Sequence, residues 1–296
     1  MERTDLLVIG GGAAGMAAAL AAVEKGISVM LCEKDDHLGG VLGQCLHHGF
    51  GHAIFGKDMT GPDYAAAFIA PVEESPIEVR TGVCVLSLTK DRTAVLSGRN
   101  GLDRVGFERC ILATGCRERT PESLGIAGTR PAGVFTAGTA QYLENINGQT
   151  VGNRIVILGS GDVGQIMARQ FVQSGREIVA MVEQADHPGG LLRNRRECLE
   201  AYHIPVLLRA TVDEILGTGR IRGVMVRELD TGVRRELACD TLVTAVGLIP
   251  EQSLCRDVMI EGQLPGWLRL CGNCESVHDI VDSVTREAEA LGATLW

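Results

Sequence analysis

Apolar runs alternate with amphipathic segments along most of the chain. The N-terminal part reads LLVIGGG, then the alanine-rich AAGMAAALAAVEKG, and then the apolar ISVMLCE. A short apolar run bounded by glycine is typical of a buried strand, and a longer segment after a glycine turn is typical of a helix. The pattern therefore predicts a strand, a helix and a second strand, which together form the βαβ unit of a parallel sheet.

The same pattern occurs again 149 to 150 positions later, as RIVILGSGDVGQIMARQFVQSGREIVAMVEQADHPGG. In both copies an acidic residue ends the second strand, 18 residues after the third glycine in the first copy and 19 residues after it in the second. The matching positions are Gly10 with Gly159, Gly12 with Gly161, Gly15 with Gly164, Gly26 with Gly175, and Glu33 with Glu183.

These glycines and acids have separate roles in a dinucleotide site. The first glycine makes a tight turn, the second lets the backbone approach a pyrophosphate, and the third lets the helix pack closely on the strand. Free N–H groups at the helix N-terminus favour the pyrophosphate, and the acid accepts a hydrogen bond from a ribose hydroxyl. Glycine turns also occur without a ligand, but strand, helix and acid together predict two dinucleotide-binding folds.

The remaining segments predict further strands and one terminal helix. The stretch from Ile77 to Ala113 is rich in β-forming residues and contains a turn at Asn100-Gly101. Two apolar strands, ILATG and TLVTAVG, end in glycine and are soon followed by proline, which suits crossovers between two domains. An amphipathic segment from about Ser276–Asp279 to Gly292 predicts a C-terminal helix.

Composition excludes several classes of function. The 296 residues, 45% of them hydrophobic, suffice for two packed domains. A net charge of −9 provides no basic surface for nucleic acid, and no apolar run is long enough to span a membrane. The N-terminus lacks signal-peptide features, so we expect a cytoplasmic protein whose ten cysteines are mostly reduced. We expect Cys32, Cys84 and Cys110 to be buried in the core.

Two dinucleotide folds, two glycine-ending strands and a C-terminal GN-plus-helix segment resemble the two-dinucleotide-binding flavoprotein superfamily, which is also called pyridine nucleotide-disulfide oxidoreductase-like. The resemblance covers essentially the whole chain. It implies an α/β fold of two Rossmann-like domains, with an NAD(P)-binding domain at 120–247 inserted in a discontinuous FAD-binding domain at 1–119 and 248–296. It also implies FAD and NAD(H) as cofactors. NADPH is less favoured because Glu183 would repel a 2′-phosphate.

The resemblance also implies which residues bind each cofactor. For FAD they are Gly10, Gly12, Ala13, Gly15, Glu33, Lys34, Gly40, Val41, Val83, Ala113, Thr114, Gly115, Gly272, Asn273, Ile280 and Val281. For NAD they are Gly159, Gly161, Asp162, Val163, Gly164, Glu183 and Gly247.

An ordered string of motifs narrows the resemblance. It includes GGVLGQCLHHGFG, TGPDYAAAF, PAGVFTAGTAQ, PGGLLRNRRECLE, and CGN followed by VHDIVDSVTREAE. The string is similar to a bacterial NAD/FAD oxidoreductase subfamily that resembles the α subunits of sarcosine oxidase and of amine or proline dehydrogenases. Members are found encoded beside a glycerol-3-phosphate-dehydrogenase-like flavoprotein. The implied partner is a second flavoprotein dehydrogenase subunit, of that type or one oxidising an amine or hydroxy acid.

The chain departs from the family in two places. Asn273 stands where the family has a flavin-facing aspartate, and its amide can still hydrogen-bond a ribityl hydroxyl. The segment from Val258 to Pro265 is shorter than in the family. We therefore expect that edge of the FAD domain to be open or covered by a partner.

The positions of the cysteines argue against a disulfide reductase. Relatives of that type carry a cysteine pair after the first βαβ unit or at the start of the NADPH domain. Here Gly39 to Cys45 holds a single cysteine, and Gly133 to Tyr142 holds none. Cys271 and Cys274 form a CxxC, but no second ligand pair accompanies them, so no metal site is predicted.

The resemblance places three candidates for direct chemistry, Cys45, His47 and His278, near the flavin. Cys45 could cycle through a sulfenic acid, as a single cysteine beside a flavin does in peroxidase-type relatives. His47, or His278 in its place, could hydrogen-bond the ring or move a proton.

These observations predict an FAD-dependent oxidoreductase that transfers a hydride between NAD(H) and FAD and relays electrons to or from a partner dehydrogenase subunit. Two alternatives remain open. One is a self-contained NADH oxidase or peroxidase that uses Cys45, and the other is a structural subunit whose second fold binds a nucleotide without reacting.

Overall fold

The computed structural model describes residues 1–295 and divides into two compact units. The first unit combines Met1–Arg117 with the chain from Ile249 onward, and the second is Glu118–Leu248. The sequence expectation placed the crossings after residues 119 and 247. The structure places them after 117 and 248, within the short strands Cys116–Glu118 and Leu248–Pro250.

Twenty strands are formed in the described chain. In order they are β1 (Glu2–Ile9), β2 (Val29–Cys32), β3 (His48–Phe50), β4 (Met59–Thr60), β5 (Glu78–Arg80), β6 (Cys84–Leu88), β7 (Thr93–Gly98), β8 (Gly101–Leu112), β9 (Cys116–Glu118), β10 (Ala127–Gly128), β11 (Val134–Thr136), β12 (Arg154–Leu158), β13 (Glu177–Val182), β14 (Val206–Leu207), β15 (Ala210–Gly217), β16 (Ile221–Glu228), β17 (Arg234–Ala238), β18 (Thr241–Thr244), β19 (Leu248–Pro250) and β20 (Leu268–Leu270).

Six α-helices accompany these strands. They are α1 (Ala13–Val23), α2 (Gly61–Glu74), α3 (Ala137–Asn145), α4 (Asp162–Gln173), α5 (Leu192–Asn194) and α6 (Val281–Thr294). A π-helical segment, Arg195–Glu200, continues from α5. No helix of residues 1–295 is long and apolar enough to cross a lipid bilayer.

The first unit is built on a seven-stranded sheet with the order β5-β2-β1-β8-β7-β6 and with β20 beside β8. The strands β5, β2, β1, β8 and β20 are parallel, whereas β7 and β6 form antiparallel hairpins. The apolar run of β1 is buried on both faces, and Leu6 and Leu7 are fully buried. Gly292 of α6 allows close packing on α1, since a Cβ on it would lie 2.2 Å from the carbonyl oxygen of Ala18.

The second unit contains two sheets. The larger is wholly parallel, with the order β11-β18-β12-β13-β14, and holds the second βαβ unit as β12, α4 and β13. The smaller has the order β10-β15-β16-β17. The predicted fold class of two Rossmann-like α/β units, the second inserted in the first, is confirmed.

Two local expectations were wrong. Cys84 is exposed, because side chains alternate along β6 and Cys84 lies on the face opposite to the buried Val85, whereas Cys32 and Cys110 are buried as expected. The C-terminal helix begins at Val281 rather than near Ser276–Asp279. The backbone N–H of His278 donates to the side chain of Asn273, which holds this segment in a loop ahead of the helix.

Two candidate dinucleotide-binding sites

The first glycine turn connects β1 to α1 and requires its glycines for steric reasons. Gly10 has a φ of +109°, and a Cβ on it would lie 2.4 Å from the carbonyl oxygen of Ala113. A Cβ on Gly15 would lie 1.8 Å from the carbonyl oxygen of Gly10. The turn, the strand end at Ala113 and the start of α1 are therefore in direct contact, as close packing of helix on strand requires.

Gly12 differs from the other glycines of this turn. A Cβ on Gly12 would meet no atom within 4 Å, so the space in front of α1 is open. Gly12 is also the N-cap of α1, where no side chain caps the helix and the first turn holds no acidic residue. Uncapped N–H groups facing open space are what a pyrophosphate needs, so the residues present fit this part of FAD.

Glu33 directly follows β2 and is buried against the glycine turn. One carboxylate oxygen accepts a hydrogen bond of 2.6 Å from the N–H of Gly11, and the other accepts one of 2.9 Å from the N–H of Asp35. Each oxygen accepts one bond and keeps a lone pair for a further donor. A ribose diol in this position would find an acceptor on each oxygen.

The loop after β20 approaches the same turn from the C-terminal part of the chain. The N–H of Cys271 donates to the carbonyl of Leu112, and a Cβ on Gly272 would lie 2.9 Å from Cβ of Ala14 in α1. The amide nitrogen of Asn273 lies 3.8 Å from Sγ of Cys116. The structure thus brings the predicted Gly272-Asn273 segment onto the first turn of α1.

Five other predicted FAD residues lie in the same unit, and their surroundings differ from one another. The N–H of Val83 donates to the carbonyl of Glu33, and a Cβ on Gly40 would lie 3.2 Å from Cα of Gly12. Val41 and Ile280 are exposed apolar side chains, 66% and 44% exposed. Lys34 is exposed and pairs with Asp35.

The last predicted FAD residues are the three that follow β8 and one in α6. Ala113, Thr114 and Gly115 follow β8 directly, and the hydroxyl of Thr114 donates to the carbonyl of Glu251. Val281 is the first residue of α6.

The second glycine turn, between β12 and α4, repeats this geometry. A Cβ on Gly159 would lie 2.2 Å from the carbonyl oxygen of Ala245, and one on Gly164 would lie 2.7 Å from the carbonyl oxygen of Gly159. A Cβ on Gly161 would again meet nothing within 4 Å. The turn borders a cavity of about 450 Å³ within the second unit, whose lining includes Arg119, Gly159, Gly161, Glu183, Gly189 and Thr211.

Glu183 lies in this cavity and is held by the turn. Its Oε2 accepts hydrogen bonds from the N–H of Ser160 at 2.9 Å and from the hydroxyl of Ser160 at 2.7 Å, and its Oε1 accepts one from Ala185 at 2.9 Å. Burial opposes ionisation of this carboxyl, but the hydrogen bonds from Ala185 and Ser160 outweigh it and hold the pKa of Glu183 below its usual range. The cavity therefore contains a fixed negative charge.

The remaining predicted NAD residues, Asp162, Val163 and Gly247, lie in the same unit but are not among the residues that line the cavity. Oδ1 of Asp162 accepts hydrogen bonds from the N–H of Leu191 and the amide of Asn194, which fastens the following loop to α4. Val163 is exposed in the first turn of α4, and Gly247 is exposed with a φ of +100°.

Three residues of this site were not indicated by the sequence pattern. Arg119 lines the cavity, the hydroxyl of Ser160 caps Glu183, and the buried amide of Gln165 donates to the carbonyls of Ser160 and Gly189. Ser160 stands where the first copy has Gly11, and Gln165 stands where it has Met16. These two differences between the copies are visible in the sequence, and a position-by-position comparison would have identified Ser160 and Gln165.

The cysteines do not form a reactive pair in the described chain. No disulfide is formed among the ten cysteines of residues 1–295. Burial raises the pKa of Cys45 to about 12 and that of Cys271 to about 12, and burial also raises the pKa of Cys274. A thiol with such a pKa is almost wholly protonated at neutral pH, and the thiolate is the reactive form.

The histidines near Cys45 do not assemble a metal centre. His47 packs on Phe50 with a ring separation of 5.0 Å, and His48 and His52 lie beside Asp58. Among residues 1–295 no group of three or more His, Cys, Asp or Glu side chains is placed to hold a metal ion.

Comparison with known proteins identifies the family. Residues 4–269 match the family described as pyridine nucleotide-disulphide oxidoreductase. The A subunit of opine oxidase from Agrobacterium tumefaciens is 32% identical over 212 residues, which are 66% of this chain and 40% of that protein. Thioredoxin reductase of Treponema pallidum is 25% identical over 258 residues, 86% of this chain and 79% of that protein. The F subunit of alkyl hydroperoxide reductase from Staphylococcus aureus is 23% identical over 263 residues, which are 87% of this chain and 49% of that protein.

Solved structures share the fold. Thioredoxin reductase of T. acidophilum has a TM-score of 0.80 at 22% identity, over 99% of this chain and 98% of that one. L-Proline dehydrogenase of P. horikoshii has a TM-score of 0.67 at 19% identity, over 99% of this chain and 55% of that one. The resemblance inferred from the motifs is confirmed, and so are FAD and a nicotinamide nucleotide as cofactors. The chain belongs to the pyridine nucleotide-disulfide oxidoreductase family of FAD- and NAD(P)-binding redox flavoproteins.

Proposed function

We propose that this chain is an NADH-linked FAD oxidoreductase that relays electrons to or from a partner dehydrogenase subunit. The observation that carries the proposal is the repeated pairing of a glycine turn with a strand-end carboxylate, Gly11 with Glu33 and Ser160 with Glu183. Each unit of the chain therefore has a glycine turn and a carboxylate suited to one dinucleotide. Hydride transfer between two dinucleotides needs no general base.

The chain's own residues would bind and orient both cofactors. The N–H groups at the start of α1 would hold the FAD pyrophosphate, and Glu33 would accept from its ribose. Those at the start of α4 would hold the second pyrophosphate, with the guanidinium of Arg119 offsetting its charge. Bound FAD supplies the hydride-accepting ring, and Val41 and Ile280 supply apolar surface that would exclude water from it.

NADH is the favoured nucleotide because the ribose end of the cavity is negative. The ionised carboxylate of Glu183 would accept from a 2′-hydroxyl and repel a 2′-phosphate. The residues that follow it, Gln184 and Asp186, carry no positive charge. Arg193 and Arg196 are exposed, while Nε of Arg195 donates to the carbonyl of Gly189.

Disulfide reduction is the less favoured exit for the electrons. The helix α3 and the strand before it contain no cysteine, and Cys271 and Cys274 are buried thiols with raised pKa values. Similarity to thioredoxin reductase of Treponema pallidum keeps this activity as the competing candidate.

A partner subunit is the favoured acceptor or donor of the electrons. The opine oxidase relative is by its name one component of an oxidase with several subunits, and it shares 32% identity with 66% of this chain. We propose a cytoplasmic complex whose second flavoprotein subunit is glycerol-3-phosphate-dehydrogenase-like or oxidises an amine or hydroxy acid. The turn between Val258 and Pro265 exposes Met259 and Ile260 and is the proposed docking edge.

Four measurements test the proposal. Anaerobic stopped-flow mixing of the FAD-loaded protein with NADH should bleach the flavin faster than mixing with NADPH, whereas a structural nucleotide-binding subunit would show no bleaching. Size-exclusion chromatography of natively expressed protein should show a complex with a second flavoprotein. A lone monomer or homodimer that oxidises NADH with oxygen at enzymatic rates would contradict the relay, and rapid reduction of a disulfide acceptor to its dithiol would identify a disulfide reductase.

A further inference from the structure

One serine side chain connects the second glycine turn to the strand-end acid and to the loop that follows it. The hydroxyl of Ser160 donates to Oε2 of Glu183 at 2.7 Å and accepts from the N–H of Gly189 at 2.9 Å. Ser160 is fully buried, whereas Glu183 is half-buried, and both border the cavity of the second unit. A nucleotide in this cavity would therefore meet the carboxylate, and Ser160 would act on the nucleotide through Glu183.

The first glycine turn makes the corresponding contacts without a side chain. The N–H of Gly39 donates to the carbonyl of Gly11 at 2.9 Å, so the backbone alone joins the loop to that turn. A Cβ on Gly11 would lie 2.5 Å from Cδ2 of Leu38, which leaves no room for a serine. Ser160 therefore distinguishes the second site from the first, and the steric demands of the shared glycine turn do not explain it.

The serine determines which oxygen of Glu183 remains for a ligand. Oε2 accepts from both the N–H and the hydroxyl of Ser160, which fills its two lone pairs, so Oε1 is the oxygen with acceptor capacity left. Burial favours the neutral acid, but the hydrogen bonds from Ala185 and Ser160 hold the pKa of Glu183 below its usual range. The carboxylate is therefore fixed in direction and ionised at neutral pH.

The loop after β13 fixes the direction of the hydroxyl in turn. The N–H of Gly189 occupies an acceptor position of the Ser160 oxygen, so the hydroxyl hydrogen points to Glu183. Nε of Arg195 donates to the carbonyl of Gly189 at 2.9 Å and holds this part of the loop. Of the charged side chains in residues 1–295, Arg119 and Glu183 line the cavity. The donors on Glu183 itself are uncharged, so its negative charge is not cancelled by a direct ion pair.

We propose that Ser160 is a positioning residue that determines the nucleotide specificity of the second site by fixing the Glu183 carboxylate. The inference rests on the proposed function, in which this cavity binds NADH. A 2′-hydroxyl donates to Oε1, whereas a 2′-phosphate meets a negative charge that cannot turn away. Discrimination against NADPH thus requires the serine as well as the acid.

Nucleotide binding to the FAD-loaded full chain tests the proposal. Calorimetric titration with NAD⁺ and NADP⁺ gives two dissociation constants without electron transfer. In Ser160→Ala the ratio of the NADP⁺ constant to the NAD⁺ constant should fall about fivefold, as expected for the loss of one hydrogen bond of ordinary strength, while the NAD⁺ constant changes less than about twofold. Ser160→Gly, which introduces the residue of the first copy, should give the same result.

A matched control changes a serine of the same helix region. The exposed hydroxyl of Ser174, at the C-terminal end of α4, donates to the carbonyl of Gln170 at 2.9 Å. Ser174→Ala removes a hydrogen bond of the same kind and should keep the wild-type ratio. In a Glu183→Gln background, Ser160→Ala should have no further effect on the ratio, because the charge that the serine positions is gone.

The pH dependence of the ratio separates this role from a structural one. The Ser160 hydroxyl is one of the hydrogen bonds that keep the pKa of Glu183 low. Protonation of the carboxylate, and with it the loss of discrimination, should therefore occur at a higher pH in Ser160→Ala than in the wild type. Titration of the 2′-phosphate itself affects both proteins equally and cancels in the comparison.

The possible results are distinct. An unchanged ratio in Ser160→Ala and Ser160→Gly, an equal loss of affinity for both nucleotides, or an effect that persists in the Glu183→Gln background overturns the inference. Should Ser160→Ala fail to fold, Ser160→Gly decides. A wild type that binds neither nucleotide contradicts the proposed function instead, and one that binds both equally overturns the two proposals together.

Discussion

Ser160 and Glu183 share two hydrogen bonds at a single carboxylate oxygen, one from the serine N–H and one from its hydroxyl. The corresponding oxygen of Glu33 accepts a single bond, from Gly11. Both lone pairs of that Glu183 oxygen are therefore occupied by the turn, whereas Glu33 retains acceptor capacity on both oxygens. The two copies thus have the same backbone geometry but differ in how much of the carboxylate is left for a ribose.

Replacing Gly12 by leucine should abolish FAD binding without unfolding the protein. The new side chain would start in the open space in front of α1, where its Cβ meets no protein atom within 4 Å, and it would occupy the place of a pyrophosphate. Purified Gly12→Leu should be colourless with an unchanged circular dichroism spectrum. Gly266→Leu is the matched control, because its Cβ also meets nothing, and it should stay yellow. Full FAD occupancy in Gly12→Leu would contradict the proposal that the first glycine turn binds FAD.

Replacing Gly161 by leucine should separate the two sites. FAD binding should remain, while the rate of flavin reduction at low NADH concentration should fall about 100-fold or more, because the second pyrophosphate would be blocked. Stopped-flow reduction across a range of NADH concentrations measures this. Gly219→Leu, in the same unit and equally open, should behave like the wild type. Equal rates in Gly161→Leu and Gly219→Leu would mean that the cavity does not bind NADH.

Glu183→Gln should weaken the preference for NADH over NADPH. Loss of the charge that repels a 2′-phosphate should lower the ratio of the two dissociation constants about tenfold, which corresponds to about 1.4 kcal/mol. Titration with both nucleotides provides the ratio. Glu177→Gln, an exposed position on β13, should leave it unchanged. A ratio that is the same in Glu183→Gln and the wild type would show that another group distinguishes the 2′-hydroxyl of NADH from the 2′-phosphate of NADPH.

Glu275→Gln should stabilise the protein at neutral pH and have little effect in acid. Burial and the neighbouring Glu287 raise the pKa of Glu275, so the folded state loses stability as pH rises through that pKa and regains it in acid. The melting temperature should rise by about 2 °C at pH 7 and change little at pH 4. Glu289→Gln on the exposed side of α6 is the control. An equal gain at both pH values would point to a cause other than ionisation.

Cys45→Ser should leave NADH-dependent flavin reduction unchanged within about twofold. The burial that raises the pKa of Cys45 to about 12 keeps its sulfur as an unreactive thiol at neutral pH. Rates of reduction and of reoxidation by peroxide should match those of the wild type. Loss of peroxide turnover in Cys45→Ser alone would favour the peroxidase alternative.

The sequence by itself determined the two βαβ units and the residues of their glycine turns. Apolar runs, glycine spacing and a strand-end acid are local features, and the steric demands at Gly10 and Gly15 arise from atoms of the same motif or its neighbouring strand. For this reason both units were predictable without knowledge of the tertiary structure.

Only the tertiary structure decided the contacts between distant parts of the chain. Arg119 lines a cavity whose glycine turn lies some forty positions later, and Glu287 reaches His278 across the start of α6. The apolar neighbours of Cys84 predicted a core residue, but the packing of β6 buries Val85 and leaves Cys84 on the opposite, exposed face of the strand. Hydropathy and spacing report which face of an element is buried, whereas side-chain partners depend on how the elements pack, and that information is not local.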